Sequence, residues 1–129
     1  MLKLASCPDS ICELEHFVQS LSVKYNICPD RYPDILISLT EAVNNAIIHG
    51  NGENITKKVL IAHRYRKQNG LTFEVSDEGP GFDYKSIPDP TRVENLEKCG
   101  GRGVFLMRQL ADRIKFANNG RTVIINFNV

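Results

Sequence analysis

No run of apolar residues in this chain approaches the length needed to cross a bilayer. The first ten residues also lack a basic region followed by an apolar core, so no secretory signal is expected. A cytoplasmic setting with no membrane partner follows as the expectation. Charge of one sign is missing too: 16 Lys and Arg face 15 Asp and Glu, a net charge of +1. That balance disfavours a general nucleic-acid binder, although it is compatible with a local basic patch. The four cysteines, Cys7, Cys12, Cys28 and Cys99, form no C-x-x-C pair and no metal-ligand rhythm. Reduced thiols are the simplest reading.

What is present suits a folded domain. Hydrophobic residues make up 42% and charged residues 24%, which argues against disorder. The 129 residues are expected to form a single domain, 1–129, burying roughly two-thirds of the surface that the unfolded chain exposes. Neither repeats nor low-complexity segments interrupt it.

Periodicity sets the expected elements. Leu2 to Ala5 alternates as a short strand. Ser10 and Glu13 have the spacing of a capping box, and Ile11, Leu14, Val18, Leu21 and Tyr25 follow at helical intervals, giving a helix from Ser10 to Lys24. A second helix runs from Asp30 or Tyr32 to His49, closed by Gly50 and Gly52. Lys58–Arg66 and Leu71–Ser76 read as strands about an Asn-Gly turn. A long loop of roughly twenty residues follows, rich in glycine and proline. A helix from Gly103 to Ala111, a strand at Ile114–Phe116, a turn at Asn118–Gly120 and a strand from Thr122 to Val129 complete the chain. Short turns between strands imply antiparallel pairing. The fold class expected is a two-layer α/β (α+β) sandwich, a mixed, mostly antiparallel sheet with helices on one face.

Three constellations carry chemistry. On the second helix, Leu36, Leu39, Val43, Ala46 and Ile47 fall on one side, and Asp34, Ser38, Glu41, Asn45 and His49 on the other. Glu41 and Asn45 stand one turn apart and offer oxygen donors suited to a hard cation such as Mg²⁺. A solvated helix face is the plain alternative, but this one lacks the Lys and Arg that usually solvate a helix. Next, Asp77-Glu-Gly79-Pro-Gly81 follows a strand, so a carboxylate meets a sharply turning backbone. An ordinary acidic turn would look the same. Last, Gly100-Gly101-Arg102-Gly103 opens into a helix, whose free N–H groups and dipole favour a phosphate. It is neither a Walker A loop, since no G-K-[ST] follows, nor a Rossmann fingerprint.

E-x-x-x-N on a helix, D-x-G-x-G after a strand and G-x-G before a helix, in that order, resemble the GHKL (Bergerat-fold) ATPases, the superfamily of gyrase and the histidine kinases. The stretch from Glu41 to Gly50 and the Gly100–Met107 box are similar, more narrowly, to the anti-sigma-factor serine/threonine protein kinases of bacteria. That resemblance implies ATP and Mg²⁺ as cofactors. It implies Glu41 as the general base, Asn45 as the metal ligand, Asp77 as the reader of the adenine amino group, and Gly79 and Gly81 as the shapers of its pocket. Gly101, Arg102 and Gly103 would hold the phosphates, and residues 82–99 would form a lid. Where some relatives carry an arginine before the last glycine box, this chain has Cys99; Lys98, Arg102 and Arg92 are the basic candidates.

The implied function is a partner switch. The kinase would hold a sigma factor or phosphorylate an anti-sigma-factor antagonist protein, often as a homodimer, with no direct nucleic-acid contact. A non-catalytic ATP-binding module that regulates a partner by contact alone is the alternative, against which Glu41 argues. A histidine-kinase catalytic domain is a third reading, weakened because no helix with a phospho-accepting histidine precedes the motifs.

Overall fold

Alternation along the strands builds one sheet with two unlike faces. The structure, a computed structural model, describes residues 1–7, 9–79 and 101–128. Its strands are β1 (Leu2–Ala5), β2 (Lys58–Arg66), β3 (Gly70–Ser76), β4 (Arg113–Ala117) and β5 (Thr122–Phe127). They lie in the order β1-β2-β3-β5-β4. All four pairings are antiparallel, so the mixed component expected from sequence has no counterpart among the described residues.

Register places apolar residues opposite apolar residues. Leu2, Ile61, Val75, Val123 and Phe116 form one row across the sheet. His63, Phe73, Ile125 and Ile114 form the next, and Tyr65, Leu71 and Phe127 a third. A slip of one residue would turn this whole set to solvent, so the pattern pins the register. Phe73 and Phe127 meet edge to face at 6.3 Å in the centre.

The helices cover this face. They are α1 (Ser10–Lys24), α2 (Tyr32–Asn45) and α3 (Gly101–Leu110). Leu14, Val18 and Leu21 of α1, Ile35, Leu39 and Val43 of α2 and Met107 of α3 are buried in the shared core. Each fully buried aliphatic side chain contributes about 1.5–3 kcal/mol. None of the described helices is long and apolar enough to cross a membrane.

Three details of the helices differ from the sequence expectation. Ser10 is the first residue of α1 rather than its cap, and its hydroxyl donates to the Ala5 carbonyl at 2.8 Å, tying the helix to the end of β1. In α2 the buried stripe is Ile35, Ser38, Leu39, Ala42 and Val43. Ser38, expected on the polar face, is fully buried, because the stripe follows 3.6-residue geometry regardless of the side chain it sweeps up. Helix α3 begins at Gly101, two residues earlier than expected.

Arg31 locks the two ends of the helical layer together. Its guanidinium binds Asp34 at 2.9 Å and Asp112, beyond α3, at 2.5 Å. Asp112 Oδ2 also accepts the Asn128 N–H at 2.7 Å.

At the far edge of the helical layer, His63 stands edge-on to Phe17 at 5.6 Å and to Tyr25 at 6.2 Å, while Tyr25 stacks on Tyr65. Its Nδ1 is sealed with no hydrogen-bond partner among the described residues. Burial, reinforced by Lys24 and the N-terminal ammonium, pushes the imidazole below its ordinary pKa. The unfolded chain therefore takes up this proton first as pH falls. Stability is present in full above the ordinary histidine value and declines through the window beneath it, until the lowered folded pKa is passed. Urea midpoints should drop between pH 7 and 5.5, and His63→Phe should flatten that slope.

Candidate functional site

Glu41 and Asn45 sit one turn apart on α2, both half-exposed. The backbone changes character directly after Asn45. Residues Ala46–Gly50 form a turn of π-helix, in which the Asn51 N–H donates to the Ala46 carbonyl at 2.8 Å. Such widened turns are frequent where a helix must be re-aimed at a functional site. Sequence periodicity predicts a plain helix to His49; the extra residue per turn is invisible to it. His49 itself is exposed.

The widened turn delivers Gly50 onto the end of β3. A Cβ at Gly50 would lie 2.4 Å from both Cγ and Oδ2 of Asp77, and a Cβ at Gly79 would lie 1.8 Å from the Gly50 carbonyl oxygen. Neither position has room for a side chain, so the two glycines and the aspartate require one another. This is a close backbone approach, the situation in which glycine is needed for its missing Cβ.

Asp77 is anchored by its neighbours. One carboxylate oxygen, Oδ1, accepts the Gly79 N–H at 2.8 Å. The Asp77 N–H donates to the Arg121 carbonyl at 2.9 Å, and Arg121 Nε donates to the Gly79 carbonyl at 2.6 Å. Among the described residues, no hydrogen bond reaches Oδ2. Burial raises the Asp77 pKa above the ordinary carboxylate value, against the opposing pull of the Gly79 N–H, Arg121 and Lys57. The result is a partly desolvated carboxylate with one fixed oxygen and one free acceptor, a fit for an amine donor.

Asn51 holds this arrangement from behind, a role that the sequence motifs did not reveal. It is buried, and its Nδ2 donates to Ser6 Oγ at 2.9 Å and to the Lys58 carbonyl at 3.1 Å. Its Oδ1 accepts the Glu78 N–H at 2.8 Å. One carboxamide thus joins the end of β1, the start of β2 and the turn after β3. Glu78 returns the link through Oε2, which accepts the Lys58 N–H at 2.6 Å. The available signal was weak: a polar residue directly after the helix-ending glycine.

Gly101 and Gly103 lie in the first turn of α3, which packs on α2. The first N–H groups of a helix lack intrahelical acceptors and favour an anion. Gly81, residues 82–99 with Arg92 and Lys98, and the side chain of Arg102 lie outside the described residues. Among the described residues no cluster of three or more His, Cys, Asp or Glu is arranged to hold a metal.

Asn51→Ala would leave the Glu78 N–H without its acceptor, while Ser6 Oγ would keep its bond to the Lys57 carbonyl. It should cost about 1–3 kcal/mol in urea unfolding, since a partly buried N–H left unpaired bears its desolvation penalty. Asp77→Asn keeps an oxygen for Gly79 and removes a charge that the fold disfavours. Because the folded pKa is raised, the carboxylate costs stability once ionised, so this variant should melt no lower than the parent at pH 7.

The sequence pattern of the histidine kinase-like ATPase domain matches residues 4–127. Two relatives, the serine-protein kinases RsbW of Staphylococcus aureus strains JH9 and Newman, are each 29% identical over 101 residues. The match covers 73% of this chain and 64% of theirs, just under two thirds of the relatives' own length.

Proposed function

The chain belongs to the histidine kinase-like ATPase domain family, and from that premise we propose that it is an ATP-dependent serine/threonine protein kinase whose substrate is another folded protein. The observation that carries this is the half-exposed carboxylate of Glu41, one turn from Asn45, on the helix whose end abuts Asp77. A module that only bound nucleotide would have no use for a base there. The name of the RsbW relatives, serine-protein kinase, supports the same reading.

The residues divide the work. The Oδ2 of Asp77, which no hydrogen bond reaches among the described residues, takes a hydrogen bond from the adenine amino group, on a carboxylate held in place by the close approach of Gly50 and Gly79. Asn45 would hold Mg²⁺ through its carboxamide oxygen, and the metal would supply charge neutralisation at the phosphates. The first turn of α3, with Gly101 and Gly103, offers N–H groups to phosphate oxygens, and the resemblance adds Arg102 of the same turn as a phosphate-holding residue. By resemblance to the family, Gly81 would shape the adenine pocket and residues 82–99 would form its lid; both lie outside the described residues. Glu41 takes the proton from the substrate hydroxyl as its oxygen forms a bond to the γ-phosphorus; the bond to the bridging oxygen breaks and ADP leaves. Phosphoryl transfer asks for positioning and charge neutralisation more than covalent chemistry, which is consistent with the roles proposed for these residues.

The partners that fit are an anti-sigma-factor antagonist as substrate and a sigma factor as the protein held in check, in a cytoplasmic partner switch. Nucleotide state would bias the choice through differential affinity.

Two variants separate binding from chemistry. Glu41→Gln should keep ATP affinity within a few-fold and slow transfer from labelled ATP to the antagonist about 10²–10⁴-fold. Full-rate transfer would remove Glu41 from the role of base. Asp77→Asn should weaken ATP binding about ten- to a hundredfold by calorimetry, while its melting temperature does not fall.

A further inference from the structure

The outer face of the sheet has a composition that the nucleotide site does not use. Lys3, Lys58, Arg64, Arg66, Arg113 and Lys115 alternate with the buried rows and are all exposed. Glu74 is the one acid among the described strand residues of this face. The described strand residues of this face thus include six of the chain's 16 basic residues and one of its 15 acidic ones, so the remainder of this near-neutral sequence is net acidic. None of the six makes a salt bridge among the described residues, where the ion pairs belong to Arg31.

Register concentrates four of them at one end. Arg64, Thr72, Asn126 and Arg113 stand side by side across four strands, with Lys115 in the next row and Arg66 at the hairpin end. Asn126 is pinned by Nδ2 to Thr72 Oγ1 at 2.8 Å and to the Asn69 carbonyl at 2.9 Å. A polar cleft of about 230 Å³ opens at this corner between Lys67, Asn69, Arg113 and Asn126, large enough for a carboxylate side chain. Asp77 follows the other end of β3, so this corner and the nucleotide site lie at opposite ends of that strand.

We infer that the outer sheet face is a docking surface for an acidic segment of a partner protein, separate from the nucleotide site and independent of whether the chain transfers phosphate. Charge complementarity selects the occupant. A second copy in a two-fold dimer would set these cations against themselves, which is repulsive. A nucleic acid fits less well than a protein. The aromatic residues Tyr65, Phe73, Phe116 and Phe127 belong to the opposite, inner rows, leaving no described strand aromatic here for bases to stack on. Half-buried Leu60, Ala62 and Ile124 lie among the cations, and Glu74 sits beside Ala62 and Ile124. Arginine mixed with apolar area is the make-up of a protein interface, and a central carboxylate opposes a phosphate backbone.

The test titrates the full ¹⁵N-labelled chain with a short poly-glutamate peptide, a single-stranded oligonucleotide of equal length and phosphatidylserine vesicles. The peptide should shift the amides of Arg64, Thr72, Asn126, Arg113 and Lys115 and spare those of Glu41 and Asp77. Its affinity should fall about tenfold between low and moderate salt. Arg64→Glu combined with Arg113→Glu should abolish these shifts with an unchanged melting temperature; Arg64→Ala, a milder change, should halve the affinity or more. Absence of shifts on this face would overturn the inference, as would tighter binding of the oligonucleotide or the vesicles, or salt-dependent self-association through it.

Discussion

The approach of one glycine backbone to another governs this molecule. Where the Gly50 carbonyl meets Gly79, the end of the functional helix and the end of a central strand come closer than any Cβ would permit. Everything proposed for the site depends on that distance. It sets Asp77 against the helix end, partly desolvates its carboxylate, and brings the α2 residues to the same end of the sheet. Two devices hold the contact. The π turn supplies the extra residue that lets α2 reach the strand, and the Asn51 carboxamide ties three separate segments behind it. Neither device touches the proposed substrates, yet without them the motif residues would be a helix face and a turn with no fixed relation.

Charge is distributed with comparable order. The helical layer and the inner rows of the sheet divide the apolar work, leaving the outer face to gather cations from β1, β2 and β4. A near-zero net charge therefore conceals a protein with a basic side and an acidic remainder. Such a division has little effect on fold but steers encounters with charged partners. In the proposed reading the chain has two surfaces, a nucleotide-directed end that uses Glu41 and Asn45 of α2 and a carboxylate-directed face that uses sheet arginines with no ion pair among the described residues.

Much of the fold was legible because its signals are local. Strand β2 and helix α1 have the bounds that alternation and helical spacing predict, and β3 and β5 differ only by end residues. The departures have physical causes that local pattern does not record. Ser10 bonds to Ala5 instead of capping its own helix because β1 lies within reach. Ser38 enters the core because burial follows helix geometry rather than polarity. The π turn costs nothing in composition, so nothing in composition announces it. Spacing singled out Glu41, Asn45, Asp77 and Gly79 as candidates, but it did not point to Asn51 or Arg121. Their partners are hydrogen-bonding groups far away in the chain, and a single sequence has no term for them.

What the sequence determined by itself was the period of each element, the apolar rows that must be buried, and the order of three motifs that mark a nucleotide-directed family. These depend on interactions between residues a few positions apart, and such interactions are written directly in the chain. Tertiary structure alone decided that Gly50 and Gly79 touch, that one oxygen of Asp77 is left free, and that cations from three strands share one surface. Those outcomes depend on register and packing between distant segments, where a shift of one residue would exchange the two faces of the sheet.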